Sequence, residues 1–370
     1  IDPDFPVEQW EQHKKEMRRR GAVTFESRHR TKDGRIFPVE ISSNYFEFDD
    51  RFLACAFHRD ITERKRAAEA MYRRLTYENL LSRISTMAVE AIDLCDFLNR
   101  SIVLMGESMN VSRSYLFEHH YETDTMDNTY EWCAEGVSPQ KENLQDLPSD
   151  VVPWWIETIK SGRNIRFTDV EDIPDESTKK ILRSQEILSI LAVPLFVDGC
   201  YYGFIGFDDC LEHRPWPQED VDILVSISRI IAVVIERKQE EEKLKLERSQ
   251  LLSVFNSIEE PIYVADTKTY EILFVNRALE KMLRKNAVGG ICHRELQGRD
   301  SPCPFCTNEI ILRRSPETYQ WEHHNPALGK TFSLYDRIIR WSDGRDVRLE
   351  FAIDITDRKR AEEELREREG

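Results

Sequence analysis

The sequence predicts an α+β chain, in which antiparallel β-sheets flanked by helices are joined by long coiled-coil-like linker helices. Three observations carry this expectation. Asp60-Ile-Thr-Glu-Arg-Lys-Arg-Ala67 recurs as Asp354-Ile-Thr-Asp-Arg-Lys-Arg-Ala361, and an internal repeat marks a repeated structural unit. Each copy follows runs of β-type residues punctuated by glycine turns, the sign of antiparallel hairpins. From Gln218 to about Ile258 the chain holds neither Gly nor Pro, enough for a helix of roughly 60 Å at 1.5 Å per residue.

The elements follow in order. Val23 to His29, the turn Lys32-Asp33-Gly34, Ile36 to Phe48 and Phe52 to Phe57 read as a three-stranded meander feeding a helix. Thr318 to His324, a turn at Gly329, Thr331 to Trp341, Asp343-Gly344 and Val347 to Ile353 repeat it. The second copy also has a front half. Leu251 to Ile258 reads as helix, Pro261 to Asp266 and Glu271 to Asn276 as strands, and Arg277 to Leu283 as a short helix. The first copy lacks this half, an expected truncation. Asp60 and Thr62, and likewise Asp354 and Thr356, stand where N-caps belong, which makes them candidate signal-transmission residues.

Composition bounds the rest. A chain of 370 residues is a two- or three-domain length. A net charge of −16 argues against nucleic acid as a partner, and the basic stretch Lys14 to Arg20 reads as a solvated helix face. The most apolar run, Ile187 to Val197, is too short to span a bilayer and is interrupted by Pro194, so no membrane segment is expected. Eight cysteines in a chain this long point to reduced thiols or a metal site, and hence to a cytoplasmic location.

The order of strand, strand, Phe274-Val275-Asn276 into a helix, then three strands ending in Asp-Ile-Thr, resembles a PAS domain with its C-terminal PAC motif. The segment with Leu191-Ala-Val-Pro-Leu195, Gly199, Gly203-Phe-Ile-Gly-Phe207 and then Trp216-x-x-Glu-Asp220 before a helix resembles the second half of a GAF domain. The resemblance implies the C-terminal part of a PAS domain over residues 1–62, a helical linker over 63–76 and a GAF domain over 77–236. A second linker would cover 237–250, a complete PAS domain 251–357 and the start of an output helix 358–370. It implies the sensory region of a prokaryotic two-component protein of the sensor histidine kinase type, with the output domain in cis. A diguanylate cyclase or a transcription-control module is the other output to weigh. No Walker loop, Gly-x-Ser-x-Gly, kinase ATP-lid or cyclase motif is visible, so this stretch is not expected to be an enzyme.

Apolar residues follow a 4-3 spacing through Ile223, Ile227, Ile230, Val234, Leu244, Leu251, Phe255 and Ile258, the seam of a parallel homodimeric coiled coil. The same register puts Arg237, Glu241 and Arg248 on that seam. The other reading packs Ile223 to Val234 on its own sheet and leaves a solvated spacer.

The sharpest chemical cluster is Cys292-His293-Arg-Glu-Leu-Gln-Gly-Arg-Asp-Ser-Pro-Cys303-Pro-Phe-Cys306. Cys-x-x-Cys on a proline-containing turn can present two thiolates to one metal ion. Cys292 is a third candidate ligand, with His293, His323 or His324 as a fourth. A reversible Cys303–Cys306 disulfide is the redox alternative, and small structural thiols are the plain one. Gly290-Ile-Cys292 with Leu296-Gln297-Gly298 resembles the flavin-linked loop of blue-light PAS domains, but Ile291 and the spacing depart from it. In the middle segment, Tyr115, Phe117, Trp132, Trp154 and Trp155 are candidates to line a small-molecule pocket, with core packing as the alternative. No pattern names the ligand or cofactor of either module.

Overall fold

The computed structural model describes residues 15, 19–48 and 51–369, so the stretch Lys14 to Arg20 lies largely outside the described residues. The chain divides into two compact units, Ile1–Gln239 and Glu240–Gly370. The architecture is α+β throughout.

In the first unit, β1 (Ala22–Arg30), β2 (Ile36–Phe48) and β3 (Arg51–Asp60) form an antiparallel sheet in sequence order. Period-two alternation puts Val39 and Ile41 on the buried face of β2. The sheet hands over to α1 (Thr62–Glu90) through Ile61, which is buried and donates its N–H to Pro38 O at 3.2 Å. The first helical bond, Lys65 N–H to Ile61 O, is 2.9 Å.

A six-stranded antiparallel sheet follows: β4 (Arg113–His120), β5 (Thr125–Cys133), β6 (Leu147–Pro148), β7 (Ile165–Phe167), β8 (Ser189–Val197) and β9 (Cys200–Asp209), in the order β6-β5-β4-β9-β8-β7. Its two faces carry separate cores. On one, Leu116, Leu191, Val193, Leu195, Ile205 and Phe207 pack with the end of α1, with α2 (Leu94–Met109) and with α5 (Gln218–Ser257). On the other, Tyr115, Phe117, Ile190, Ala192 and Phe204 pack with α3 (Pro153–Lys160) and α4 (Glu176–Ser184). Neighbouring residues of β8 therefore alternate between the two cores. The Trp132 ring lies so close over Gly106 that any Cβ there would sit 2.0 Å from it. That seats Trp132 on the α2 face and corrects its assignment to the pocket aromatics.

Helix α5 runs for 40 residues, as its lack of Gly and Pro foretells. Its first part does not form a free seam. Ile223, Ile227 and Val234 are buried in the core of their own sheet, Ser228 donates to Pro194 O at 2.9 Å, and Arg237 donates to Ala88 O at 3.0 Å and Ala91 O at 3.2 Å. A guanidinium on the last carbonyls of α1 complements that helix's dipole. Leu244, Leu251 and Phe255 further along are exposed.

In the second unit, β10 (Ile262–Asp266), β11 (Ile272–Val275), β12 (Tyr319–Asn325), β13 (Lys330–Arg340) and β14 (Asp346–Asp354) form an antiparallel sheet in the order β11-β10-β14-β13-β12. Three short helices cross it: α6 (Arg277–Leu283), α7 (Cys292–Gln297) and α8 (Asn308–Arg314). Asn276, fully buried, is the keystone. Its amide donates to the carbonyls of Phe255, Ile258 and Glu260, while its oxygen accepts from Ile262 N–H at 2.9 Å and caps α6 at Leu279 N–H. The sheet ends in α9 (Thr356–Glu369), entered as α1 is. Ile355 is buried and donates to Thr331 O at 2.9 Å, and Lys359 N–H bonds Ile355 O at 3.0 Å.

Candidate functional site

Among the described residues, two cavities stand out for the polar groups around them, one in each unit. The first is a cavity of about 60 Å³ on the α3–α4 side of the six-stranded sheet. Its far end is aromatic: Phe117 and Phe204 stack at 4.6 Å, and Trp155 meets Phe204 edge-on at 5.4 Å. Its near end is polar, because the strand register brings charged residues side by side. Arg113 pairs across the ladder with Asp208, and Tyr115 with Glu131. Arg113 Nε stands 3.6 Å from Asp208 Oδ1 and its Nη2 donates to Gln185 O at 2.6 Å. Burial pushes the Asp208 carboxyl up to about 7, against the pull of Arg113.

Four polar atoms of residues lining this cavity are buried without a hydrogen-bond partner: Arg113 Nε, Tyr115 Oη, Asn128 Oδ1 and Trp155 Nε1. Each such group costs about 1–3 kcal/mol relative to a satisfied one. Of the aromatic residues singled out in the sequence, Tyr115, Phe117 and Trp155 line the cavity, whereas Trp154 packs at its margin against Phe167. Arg113, Asn128, Glu131, Gln185 and Asp208 escape a sequence reading. Arg113 alone carried a signal, a charge two residues before the buried aromatic Tyr115 in the same strand.

The second cavity, about 40 Å³, lies inside the PAS-like sheet and is lined by Cys292, His293, Cys303 and Cys306 together. The loop from 292 to 306 thus folds its four candidate ligands onto one space. Cys292 opens α7, buried, with Arg348 Nη2 at 3.7 Å from its sulfur. His293 is 7 % exposed and its Nδ1 has no partner. Among the described residues no three His, Cys, Asp or Glu side chains are gathered closely enough to hold an ion. Burial pushes the Cys292 thiol up to about 11 and raises that of Cys303, so neither is a ready thiolate at neutral pH. His324 bonds Thr331 Oγ1 on the exposed side of β12, and the His323 ring lies tilted against Phe305 at 4.2 Å.

The same cavity is floored by groups the sequence reading missed, Tyr263, Arg348 and Glu350. Glu350 faces the fully buried Asp336 across β13 and β14. Tyr263 donates to Glu350 at 2.8 Å, Arg348 Nε lies 3.8 Å from Glu350, and Asp336 accepts from Thr307 at 2.6 Å and Trp321 at 2.8 Å. Burial first, and the Asp336 carboxylate second, push Glu350 up to about 8.

At the two strand-to-helix junctions the aspartates act ahead of the helix. Asp60 Oδ1 accepts from Thr62 N–H at 2.8 Å and Asp354 Oδ1 from Thr356 N–H at 3.0 Å. Thr62 is therefore the first residue of α1, not its cap. Both aspartates are held below the usual carboxylate range, Asp60 by its bonds to Thr62 and Asp354, against burial, by Lys330 and Thr356.

Comparison with known proteins gives a GAF domain model matching residues 93–235 and PAS domain models matching residues 3–63 and 249–316. The methanogenesis regulatory histidine kinase FilI of Methanothrix harundinacea is 35% identical over 179 residues, 46% of this chain and 20% of that protein. The chain thus spans about a fifth of that curated relative. Among solved structures, the phycocyanobilin-bound GAF domain from a cyanobacterial phytochrome is 18% identical, covering 45% of this chain and 96% of that one, at a TM-score of 0.40. Free methionine-R-sulfoxide reductase from Neisseria meningitidis, in complex with its substrate, is 17% identical over 45% of this chain and 91% of that one, at 0.37. Likenesses at such TM-scores carry no weight for what this chain binds.

Glu350 gives a pH test. Its proton stays on in the folded state where an unfolded glutamate, near about 4.3, has lost it. That stability is present below the unfolded value and is lost as pH rises through about 8. Urea unfolding should therefore lose on the order of 1–3 kcal/mol between about pH 5.5 and 8.5, and Glu350→Gln should reduce that slope. Equal slopes in the two proteins would mean that Glu350 is ionised throughout.

Proposed function

On the premise that the chain carries PAS, GAF and PAS domains in that order, we propose that it is the sensory input and relay region of a larger signal-transduction protein, with a histidine kinase as output in cis. It takes up a small molecule in the GAF cavity and passes the change to helix α5. One observation carries this reading. The cavity and the helix lie on opposite faces of the same sheet, so that Ile190 lines one while Leu191, Val193 and Leu195 pack in the core under the other. A ligand that moves β8 or β9 moves the bed on which α5 lies, provided it binds the two arrangements unequally. The curated kinase relative supports the nature of the output. In the described residues no helix is long and apolar enough to cross a membrane, and the cysteines are free thiols, in keeping with a cytoplasmic site.

The relay is tested by hydrogen exchange on the whole chain, with ligands found by thermal-shift screening of a metabolite collection. A ligand seated in the cavity should slow exchange in residues 223–235 of α5 as well as in β4 and β9. Protection confined to the strands would remove the relay.

The second half of α5 serves as the homodimer contact. Leu244 and Leu251 keep the heptad spacing and are 65% and 62% exposed. Replacing both by Glu should turn a dimer into a monomer in light scattering, and an unchanged mass would exclude this seam.

A second reading concerns the PAS cavity. Cys292, Cys303, Cys306 and His293 line one space, which supports a thiolate-bound soft metal ion as that domain's signal, its positive charge offsetting the cost of buried thiolates. Purified chain titrated with Zn²⁺ should take up about one ion per chain, and Cys303→Ser should abolish uptake. Equal uptake by the variant would sink the metal reading and leave the thiols structural.

A further inference from the structure

The polar wall of the GAF cavity constrains the chemistry of what binds there. Three unpartnered atoms are donors or can donate: Arg113 Nε–H, Trp155 Nε1–H and Tyr115 Oη–H. They call for an acceptor group. Facing them is the carboxyl of Asp208, which is 1% exposed, together with the unpartnered acceptor Asn128 Oδ1. Glu131 is already engaged by Asn128 Nδ2 and the N–H groups of Gln140 and Lys141. Asp208 and Asn128 call for a donor, and a positive one suits a buried carboxyl.

Single-function ligands fail this wall in opposite ways. A lone carboxylate would be drawn to Arg113 but would bury further negative charge beside Asp208 and leave Asn128 Oδ1 without a donor. A lone amine would satisfy Asp208 and Asn128 and leave the three donors as costly as before. The far end, made by Phe117, Phe204, Met126 and the Trp155 ring, accepts only an apolar tail.

We infer that the GAF cavity binds a small amphipathic zwitterion, a free α-amino acid with an apolar or aromatic side chain, its carboxylate on Arg113, Tyr115 and Trp155 and its ammonium on Asp208 and Asn128. This rests on the reading of the cavity as a ligand pocket. Such a ligand adds no net charge to the buried site, and its ammonium restores the ionised state that burial withholds from Asp208.

The test is calorimetric titration of the whole chain with L-phenylalanine and L-leucine, with phenethylamine and isoamylamine, and with 3-phenylpropionate and 4-methylpentanoate. At least one amino acid should bind about tenfold or more tighter than both its amine and its acid. Tyr115→Phe should weaken that binding about tenfold without lowering the thermal midpoint of the probe-free chain, because the hydroxyl has no partner to lose. An amine or an acid binding tighter than its amino acid overturns the zwitterion while leaving the cavity a ligand pocket. Amino-acid binding of equal strength in Tyr115→Phe places the probe elsewhere and overturns both. No binding by any of the six overturns the zwitterion.

Discussion

The structure depends on the two-sidedness of a β-sheet. Successive side chains on a strand point to opposite faces, so a sheet buried on both sides must be apolar nearly throughout. Residues 189–197 meet that demand with one polar residue at their start. The consequence is mechanical as much as energetic. The wall of the cavity and the bed of the long helix are a single layer of backbone, and close-packed interiors transmit displacement rather than absorb it. Gly206, over which the Tyr115 ring lies so closely that a Cβ would come within 2.5 Å of it, keeps that wall thin where the polar end begins.

Against this apolar background the buried charges stand out. Each cavity holds an arginine beside a carboxylate at its floor, Arg113 with Asp208 and Arg348 with Glu350. A buried pair seldom adds net stability, yet removing one partner costs about 3–5 kcal/mol. Such pairs are poor choices for holding a domain together and good ones for recognising a polar ligand. The unpartnered Nε atoms of both arginines fit that account. In the PAS-like unit Glu350 also faces Asp336 across the ladder, and burial first, with the Asp336 carboxylate second, keeps a proton on Glu350 at neutral pH.

Much of the fold was legible in the residues. Glycine turns and period-two runs placed β10 to β14, and the absence of Gly and Pro placed α5 almost to the residue, because local backbone chemistry decides these features. What failed had non-local causes. A 4-3 apolar spacing is the same whether a helix faces a partner helix or its own sheet, so Ile223 to Val234 looked like a seam and proved to be core. Trp132 and Trp155 are indistinguishable in sequence, and only tertiary packing, of strand β5 under α2 and of helix α3 on the other side of the sheet, sends them to opposite faces. The charged floors were invisible for the same reason. An arginine in a strand reads as solvent-facing until its neighbours across the ladder are known.

The Asp-Ile-Thr repeat, finally, has a physical reason to recur. The aspartate accepts the first free N–H of the helix, the isoleucine buries its side chain under the sheet and bonds its own N–H to the adjacent strand, and the threonine begins the helix. Five residues after each aspartate a lysine reaches back to a glutamate on the first strand of the meander, Lys65 to Glu26 at 2.7 Å and Lys359 to Glu322 at 2.7 Å. Exposed ion pairs of this kind are each worth at most about 1 kcal/mol, so the stiffness of the junction comes from the buried isoleucine and the backbone bonds. A flexible hinge at this place would let the helix ignore the sheet. Fixing the last strand and the first helical turn to one another at three points makes the helix direction a function of the strand's position, which is the property a relay needs.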